Sequence, residues 1–350
     1  MSRLKNKALM LIGAALIISL GVMGCNQYIT GAKVHLQLDP PNYEAAITTL
    51  NEGLEYAPKD SEMHGLLAYC YVQTGKYKEA GKSYASAIEY SPTQKDSLQK
   101  SWDGAWEDLY NMSGGYLKKA VTGSKDSNAA YLQKAEENIN NAIDISPNKV
   151  DNFIRKGLLY RYMGKSKESE ALFAQAIAID PNNPDAYFQV GRAAMESQNW
   201  DEAIKNVTKA TQIKKDNDQW FYYLGVAYLQ KREYPQAQKA FATAGALKPD
   251  EKNTWFNMAQ AYYFEGNDMK SAISALDKVI ALDSKDVEAY RLLGLCALHN
   301  TVKDYDRAIQ AYTKALELKP DSLDYKNYLE YAKKQKEASQ APVKPKKKRR

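Results

Sequence analysis

Apolar and small residues recur along this chain in a fixed order. Between Asp218 and Pro249 the order is Leu224-Gly225, Tyr228, Ala237, Phe241, Ala244 and Pro249. It returns as Gly157, Tyr160, Phe173, Ala176 and Pro181, and earlier as Leu67-Ala68, Tyr71, Ala80, Tyr84, Ala87 and Pro92. The period is about 34 residues, and within it the apolar positions fall three and four apart, the spacing of one helix face. Two such faces per period, closed by proline, predict a helix–turn–helix unit. A unit this small cannot bury its apolar face alone, so the pattern predicts stacked units rather than a closed globular core.

The choice of residues follows from close packing. Gly157, Gly191, Gly225 and Gly294 remove side chains where a first helix meets its partner, and Ala203, Ala237, Ala272 and Ala308 do the same on the second. Larger residues such as Phe173 and Phe241 then fill the space between units. Gly75, Gly164 and Gly266 stand where first helices end, a place that favours a left-handed cap. Proline at the end of a second helix, as at Pro58, Pro92, Pro147, Pro181, Pro249 and Pro320, stops it and starts the next unit.

These residues resemble the tetratricopeptide repeat, a helix–turn–helix family. The resemblance implies an all-α fold, a right-handed superhelical solenoid of about eight repeats with a C-terminal capping helix. The repeats fall at 27–60, 61–94, 95–149, 150–183, 184–217, 218–251, 252–285 and 286–321, with the cap at 322–337. The third is enlarged, because Pro92 to Pro147 spans 55 residues. Its first helix is expected to be long, followed by a long loop from Thr122 to Asn128. Residues 338–350 read as a disordered basic tail.

Arg3, Lys5 and Lys7 precede an apolar run from Ala8 to about Gly24, the layout of an export signal. The run ends in Val22-Met23-Gly24-Cys25, which resembles the lipobox of bacterial lipoproteins. That resemblance implies a signal peptide over residues 1–24 and lipidation of Cys25. Asn26 after the cysteine favours the outer membrane of the bacterial cell envelope, facing the periplasm. Cys70 and Cys296 remain, both at a small, packed helix position that other repeats fill with Ala193, Ala227 or Ala261, so they read as core thiols.

Charge changes the picture only when divided. The formal net charge is +6, but nine of the 48 basic residues lie in two acid-free terminal segments, the second being Lys344 and Lys346 to Arg350. The chain between them has 39 basic and 42 acidic residues, so the repeats are not a polyanion-binding surface and no nucleic-acid partner is expected. Near a membrane the basic tail would meet anionic lipid headgroups or wall polymers.

No catalytic constellation emerges. Three histidines, His35, His64 and His299, have no metal-ligand spacing, and there is no H-E-x-x-H, C-x-x-C, P-loop or dinucleotide glycine pattern. Repeats cover nearly all of the chain after Cys25. The expectation is therefore no enzyme, no metal and no cofactor.

What remains is surface. In the repeat family the first helices line a concave groove. Transferred by position, the resemblance implies groove residues Tyr69, Ile154, Arg161, Tyr162, Phe188, Arg192, Tyr222, Phe256, Gln260, Tyr263, Phe264, Arg291 and His299. Aromatics beside arginines are the composition of binding hot spots. The lysine/asparagine clamp of members that bind chaperone tails is missing, since the matching positions hold Tyr69, Leu158, Arg192, Val226, Gln260 and Leu295. In the enlarged repeat, Leu98, Trp102, Ala105, Leu109, Met112 and Tyr116 form a helical stripe, with Trp106 beside it. The extra length either packs on adjacent repeats or presents Trp102 and Trp106 for docking. The expected function is a lipid-anchored scaffold that binds a segment of another envelope protein in its groove, for assembly or export of an envelope complex. The competing expectation is a wall-polymer or anionic-lipid binder acting through the basic tail.

Overall fold

The computed structural model describes residues 26–123 and 125–340. The signal segment, Cys25 and residues 341–350 of the tail lie outside the described residues. Among the described residues there are seventeen α-helices and no strand. They divide into two units, one ending at Pro181 and the other starting at Asn182.

The first unit holds α1 (Asn26–Gln37), α2 (Tyr43–Tyr56), α3 (Ser61–Gln73), α4 (Tyr77–Tyr90), α5 (Lys95–Thr122), α6 (Lys125–Ile145), α7 (Val150–Tyr162) and α8 (Ser166–Ile179). The second holds α9 (Pro184–Glu196), α10 (Trp200–Ile213), α11 (Asp218–Gln230), α12 (Tyr234–Leu247), α13 (Lys252–Glu265), α14 (Met269–Leu282), α15 (Val287–Leu298), α16 (Tyr305–Leu318) and α17 (Leu323–Gln340). Within each unit the helices pair as hairpins, and each hairpin packs on the next.

The seams match the small-residue pattern. A Cβ on Gly225 would lie 2.6 Å from the Phe241 ring, and one on Gly157 would lie 2.5 Å from the ring of Phe173. Both phenylalanines are fully buried, so glycine is what lets α11 approach α12 and α7 approach α8. Several first helices start at side-chain caps: Asp60 accepts from the amide of Met63 at 2.9 Å and Asn183 from that of Ala186 at 3.0 Å. Each such cap contributes about 1 kcal/mol.

First helices end in a left-handed residue, with φ of 75° at Gly75 and Gly164 and 81° at Gly266. The same turn is made without glycine at Gln198, Arg232 and Lys303, where φ is 58°, 62° and 53°. Cys70 and Cys296 are buried and unpaired, and burial pushes each thiol up to about 12.

Three details differ from the sequence reading. The expected loop from Thr122 to Asn128 is largely helical, since α6 starts at Lys125. A run of Ser, Lys, Asp and Asn suits the solvated first turn of a helix as well as it suits a loop. α17 continues to Gln340, three residues past the expected cap, because Glu337-Ala338-Ser339-Gln340 contains nothing that stops a helix. The buried side of α5 runs through Trp106, Leu109, Ser113 and Ala120, while Met112 is 40% exposed. The stripe is thus rotated from the expected one, to the side where Ser113 hydroxyl donates to the Ala135 carbonyl at 2.8 Å.

Candidate functional site

In the second unit α9, α11, α13 and α15 touch in succession, so their equivalent positions form one continuous face. Side chains bridge the helices across it. Phe188 of α9 packs 5.6 Å from Trp220 and 5.5 Å from Tyr223 of α11, centroid to centroid. Tyr222 accepts a 3.1 Å hydrogen bond from the Asn257 amide of α13 and stands edge-on to Tyr223. The Arg192 guanidinium lies 5.4 Å from the centre of the Tyr223 ring.

Further along, Tyr263 meets Phe264 edge-on at 5.6 Å, and Phe264 is 55% exposed. Phe256, Gln260 and Tyr263 are half-buried. Arg291 donates to Glu288 at 2.7 Å, and that guanidinium holds the Glu288 carboxyl below its ordinary value. Glu288 also accepts from the Tyr325 hydroxyl of α17 at 3.2 Å, so this end of the face is self-paired. His299 is tied to the Thr301 hydroxyl. The open chemistry therefore lies toward α9, α11 and α13: ring faces, a guanidinium on an aromatic ring and an amide.

Several expected contact residues are structural. Phe188 is 3% exposed and cannot reach a ligand; it is the platform under Arg192. Tyr69 is 9% exposed and packs edge-on to Tyr43 at 6.1 Å, with burial raising its hydroxyl above the usual tyrosine value. Ile154 is equally buried. Tyr162 is exposed, but its hydroxyl donates to the Ala120 carbonyl and accepts from Asn128, which ties it to the enlarged repeat. Arg161 is half-buried on the same helix. Position in a repeat says which way a residue faces; the neighbour's size decides whether the face is covered.

The enlarged repeat also departs from expectation. Trp106 is buried and donates to the Asn152 side chain at 2.8 Å, so it is no docking residue. Trp102 is half-buried and donates to the Ile145 carbonyl at 2.8 Å. Asn152, fully buried, passes its own amide to the carbonyls of Ala142 and Ser146 at 3.1 and 2.9 Å. Trp102 thereby satisfies the Ile145 carbonyl at the end of α6, while Asn152 adds a second donor to the Ala142 and Ser146 carbonyls, which already accept the amides of Ser146 and Lys149. The long helix is further held at Gly114, where a Cβ would lie 2.2 Å from the Arg155 guanidinium, and by Arg155 stacking 4.0 Å over Tyr110. Sequence reasoning passed over Asn152. Its signal was a large polar residue at a position that Met63, Ala186, Trp220 and Ala289 fill with apolar side chains and Thr254 with a small polar one.

No group of three or more His, Cys, Asp or Glu that could hold a metal occurs among the described residues, and no described helix is long and apolar enough to cross a membrane. Helical hairpins stacked first helix to first helix, with glycine or alanine at their seams, define a helical-repeat protein. The repeats are tetratricopeptide repeats, and the chain is a tetratricopeptide-repeat protein. Residues 208–322 match the family described as the cytochrome c-type biogenesis protein H TPR domain, and residues 38–99 and 161–221 match the tetratricopeptide repeat family.

Two solved structures show the same fold. The chain is similar to YrrB, described as a TPR protein with an unusual peptide-binding site, at 20% identity, 56% of this chain, 97% of that chain and a TM-score of 0.50. It is similar to pilF of Pseudomonas aeruginosa at 20% identity, covering 66% of this chain and 99% of that one, with a TM-score of 0.52. No curated protein matches the sequence.

Proposed function

We propose that the chain is a lipid-anchored scaffold that holds a segment of another cell-envelope protein on the face formed by α9, α11 and α13. The observation that carries this reading is the Arg192 guanidinium lying on the Tyr223 ring beside Tyr222. An aromatic platform under an arginine offers a partner both apolar area and a charge-assisted hydrogen bond. A peptide with an aromatic or aliphatic side chain next to an acid would fill it.

The envelope assignment rests on the export signal and on Cys25 of the lipobox-like segment. Acyl chains on that cysteine would fix the protein to the outer membrane, since two lipid signals already give stable attachment. The family matched over residues 208–322 is named for a biogenesis protein, and assembly or export of an envelope complex is the role this reading assigns.

Crosslinking in cells followed by affinity mass spectrometry tests the reading, comparing wild type with Arg192→Glu/Tyr222→Ala at equal folded content. Loss of a partner only in the variant is the expected result. A partner set unchanged by the variant moves recognition away from this face. In parallel, Cys25→Ser should release a folded protein from membranes; membrane attachment that persists in that variant contradicts the anchor. Deleting residues 342–350 should leave the partner in place.

A further inference from the structure

A cavity of about 510 Å³ opens in the first unit between α4, α5 and the end of α6. That volume is within the range of small-molecule sites, roughly 300–1,000 Å³. It exists because the enlarged repeat lays α5 and α6 beside α4. At Gly81 a Cβ would lie 2.4 Å from the Ile145 carbonyl oxygen, so the α4 backbone sits directly on the last turn of α6.

One wall is the indole of Trp102. Its orientation is fixed twice, by the hydrogen bond to Ile145 and by stacking on Tyr84 at 5.9 Å and 9°. A ring held this way is a preformed flat surface, which lowers the ordering cost of binding.

The charged groups are unevenly placed. Lys78 and Lys82 are four residues apart on α4, so both ammoniums line the same side, and neither has an acidic partner among the described residues. Lys149, which also lines the cavity, is paired with Asp103 at 2.7 Å and lies 4.5 Å over Trp106. The opposite wall carries Asp144. The α6 carbonyls of Ala142 and Ile145 are already taken by Asn152 and Trp102. What the cavity leaves open is therefore a flat apolar wall with two free ammoniums on its α4 side.

We propose that this cavity binds a small aromatic carboxylate, its ring against Trp102 and its carboxylate between Lys78 and Lys82. Asp144 would repel the acid from the other wall and so set its direction. The site is independent of the peptide-binding reading and can stand or fall without it.

Isothermal titration calorimetry on the full chain in detergent tests it, with 1-naphthoate and its uncharged analogue 1-naphthalenemethanol as probes. Wild type should bind naphthoate at one saturable site, and the alcohol about tenfold more weakly or less. Lys78→Gln/Lys82→Gln should weaken naphthoate by about tenfold or more while leaving the alcohol unchanged. Ala85→Trp, at an exposed position lining the cavity, should abolish binding of both. Circular dichroism checks each variant, and if Ala85→Trp does not fold, the lysine variant decides alone. No saturable naphthoate binding to wild type overturns the proposal, as does equal binding of acid and alcohol, or of wild type and the lysine variant. If the two lysines serve only to face the carbonyl end of α6, the lysine variant will lose thermal stability and wild type will not bind naphthoate.

Discussion

In the regular repeat of α11 and α12, the hairpin is closed by size: Gly225 leaves a space and the fully buried Phe241 ring occupies it. In the enlarged repeat of α5 and α6, the corresponding join is closed by hydrogen bonds: Trp102 and Asn152 donate to carbonyls at the end of α6, and Trp106 donates to the Asn152 side chain. The first solution is apolar and depends on the fit of the ring to the space; the second is polar, and it holds only while every member finds its partner. An insertion that lengthens two helices by several turns cannot reuse the repeat's own seam over its full length. The difference is why one repeat is recognisable at a glance and the other hides a buried network and a cavity.

Removing the filler should have the largest effect. Phe241→Ala is expected to cost about 3–5 kcal/mol in chemical unfolding. Gly225→Ala should destabilise wild type by about 1–3 kcal/mol despite the better helix propensity of alanine, because its methyl meets the ring. In the Phe241→Ala background the same change should be neutral or stabilising. Additive losses in the double variant would show that the glycine and the ring are not coupled.

The polar join should be nearly as sensitive. Asn152→Leu keeps approximate volume but orphans the Trp106 indole N–H and removes one of two donors from each of the Ala142 and Ser146 carbonyls, at an expected cost of about 1–3 kcal/mol. An unfolding midpoint within error of wild type would mean that water or a rearranged neighbour replaces the amide.

This contrast also explains how much was legible in the sequence. The repeat order, the glycine seams and the left-handed ends at Gly75, Gly164 and Gly266 were readable because each is a local rule repeated at a fixed period. The direction of a face was readable too, which placed Arg192, Tyr222, Phe256, Gln260 and Tyr263 along adjoining helices. Coverage was not. Phe188 and Tyr69 take groove positions yet are closed over by Trp220 and Tyr223, and by Tyr43, residues whose size rather than register decides the matter. Trp106 was left open between packing and docking because its partner, Asn152, lies 46 residues away. The cavity depends on α4, α5 and α6 meeting, and no single stretch encodes it.

Smaller effects sharpen the same comparison within the regular repeats. Gly164 and Gly266 turn without strain where Arg232 does so at φ 62°, so Arg232→Gly should raise stability by about 0.5–1 kcal/mol. No gain in melting temperature would mean that other contacts of the arginine offset its backbone strain.

The smallest expected effect is a pH dependence at the start of α14. Asp268 accepts from the Ser271 hydroxyl at 2.6 Å and from its amide at 3.0 Å, and these bonds hold its carboxyl below the usual range. Its contribution is complete above the unfolded value near about pH 4 and is lost as pH falls through the lower folded one. Asp268→Asn keeps a capping oxygen and removes the titration. The variant should match wild type near neutrality and lose less stability on acidification; identical acid profiles would remove Asp268 from the account.

The most direct test of the central claim is photocrosslinking in cells from single sites on either side of the second unit. A crosslinker at Gln260 or Tyr222, on the first-helix face, should capture a discrete envelope protein. The same group at Lys205 of α10 or Lys239 of α12, both exposed on second helices, should not. Capture only from the second-helix positions would contradict the account and place the partner on the opposite side of the repeats.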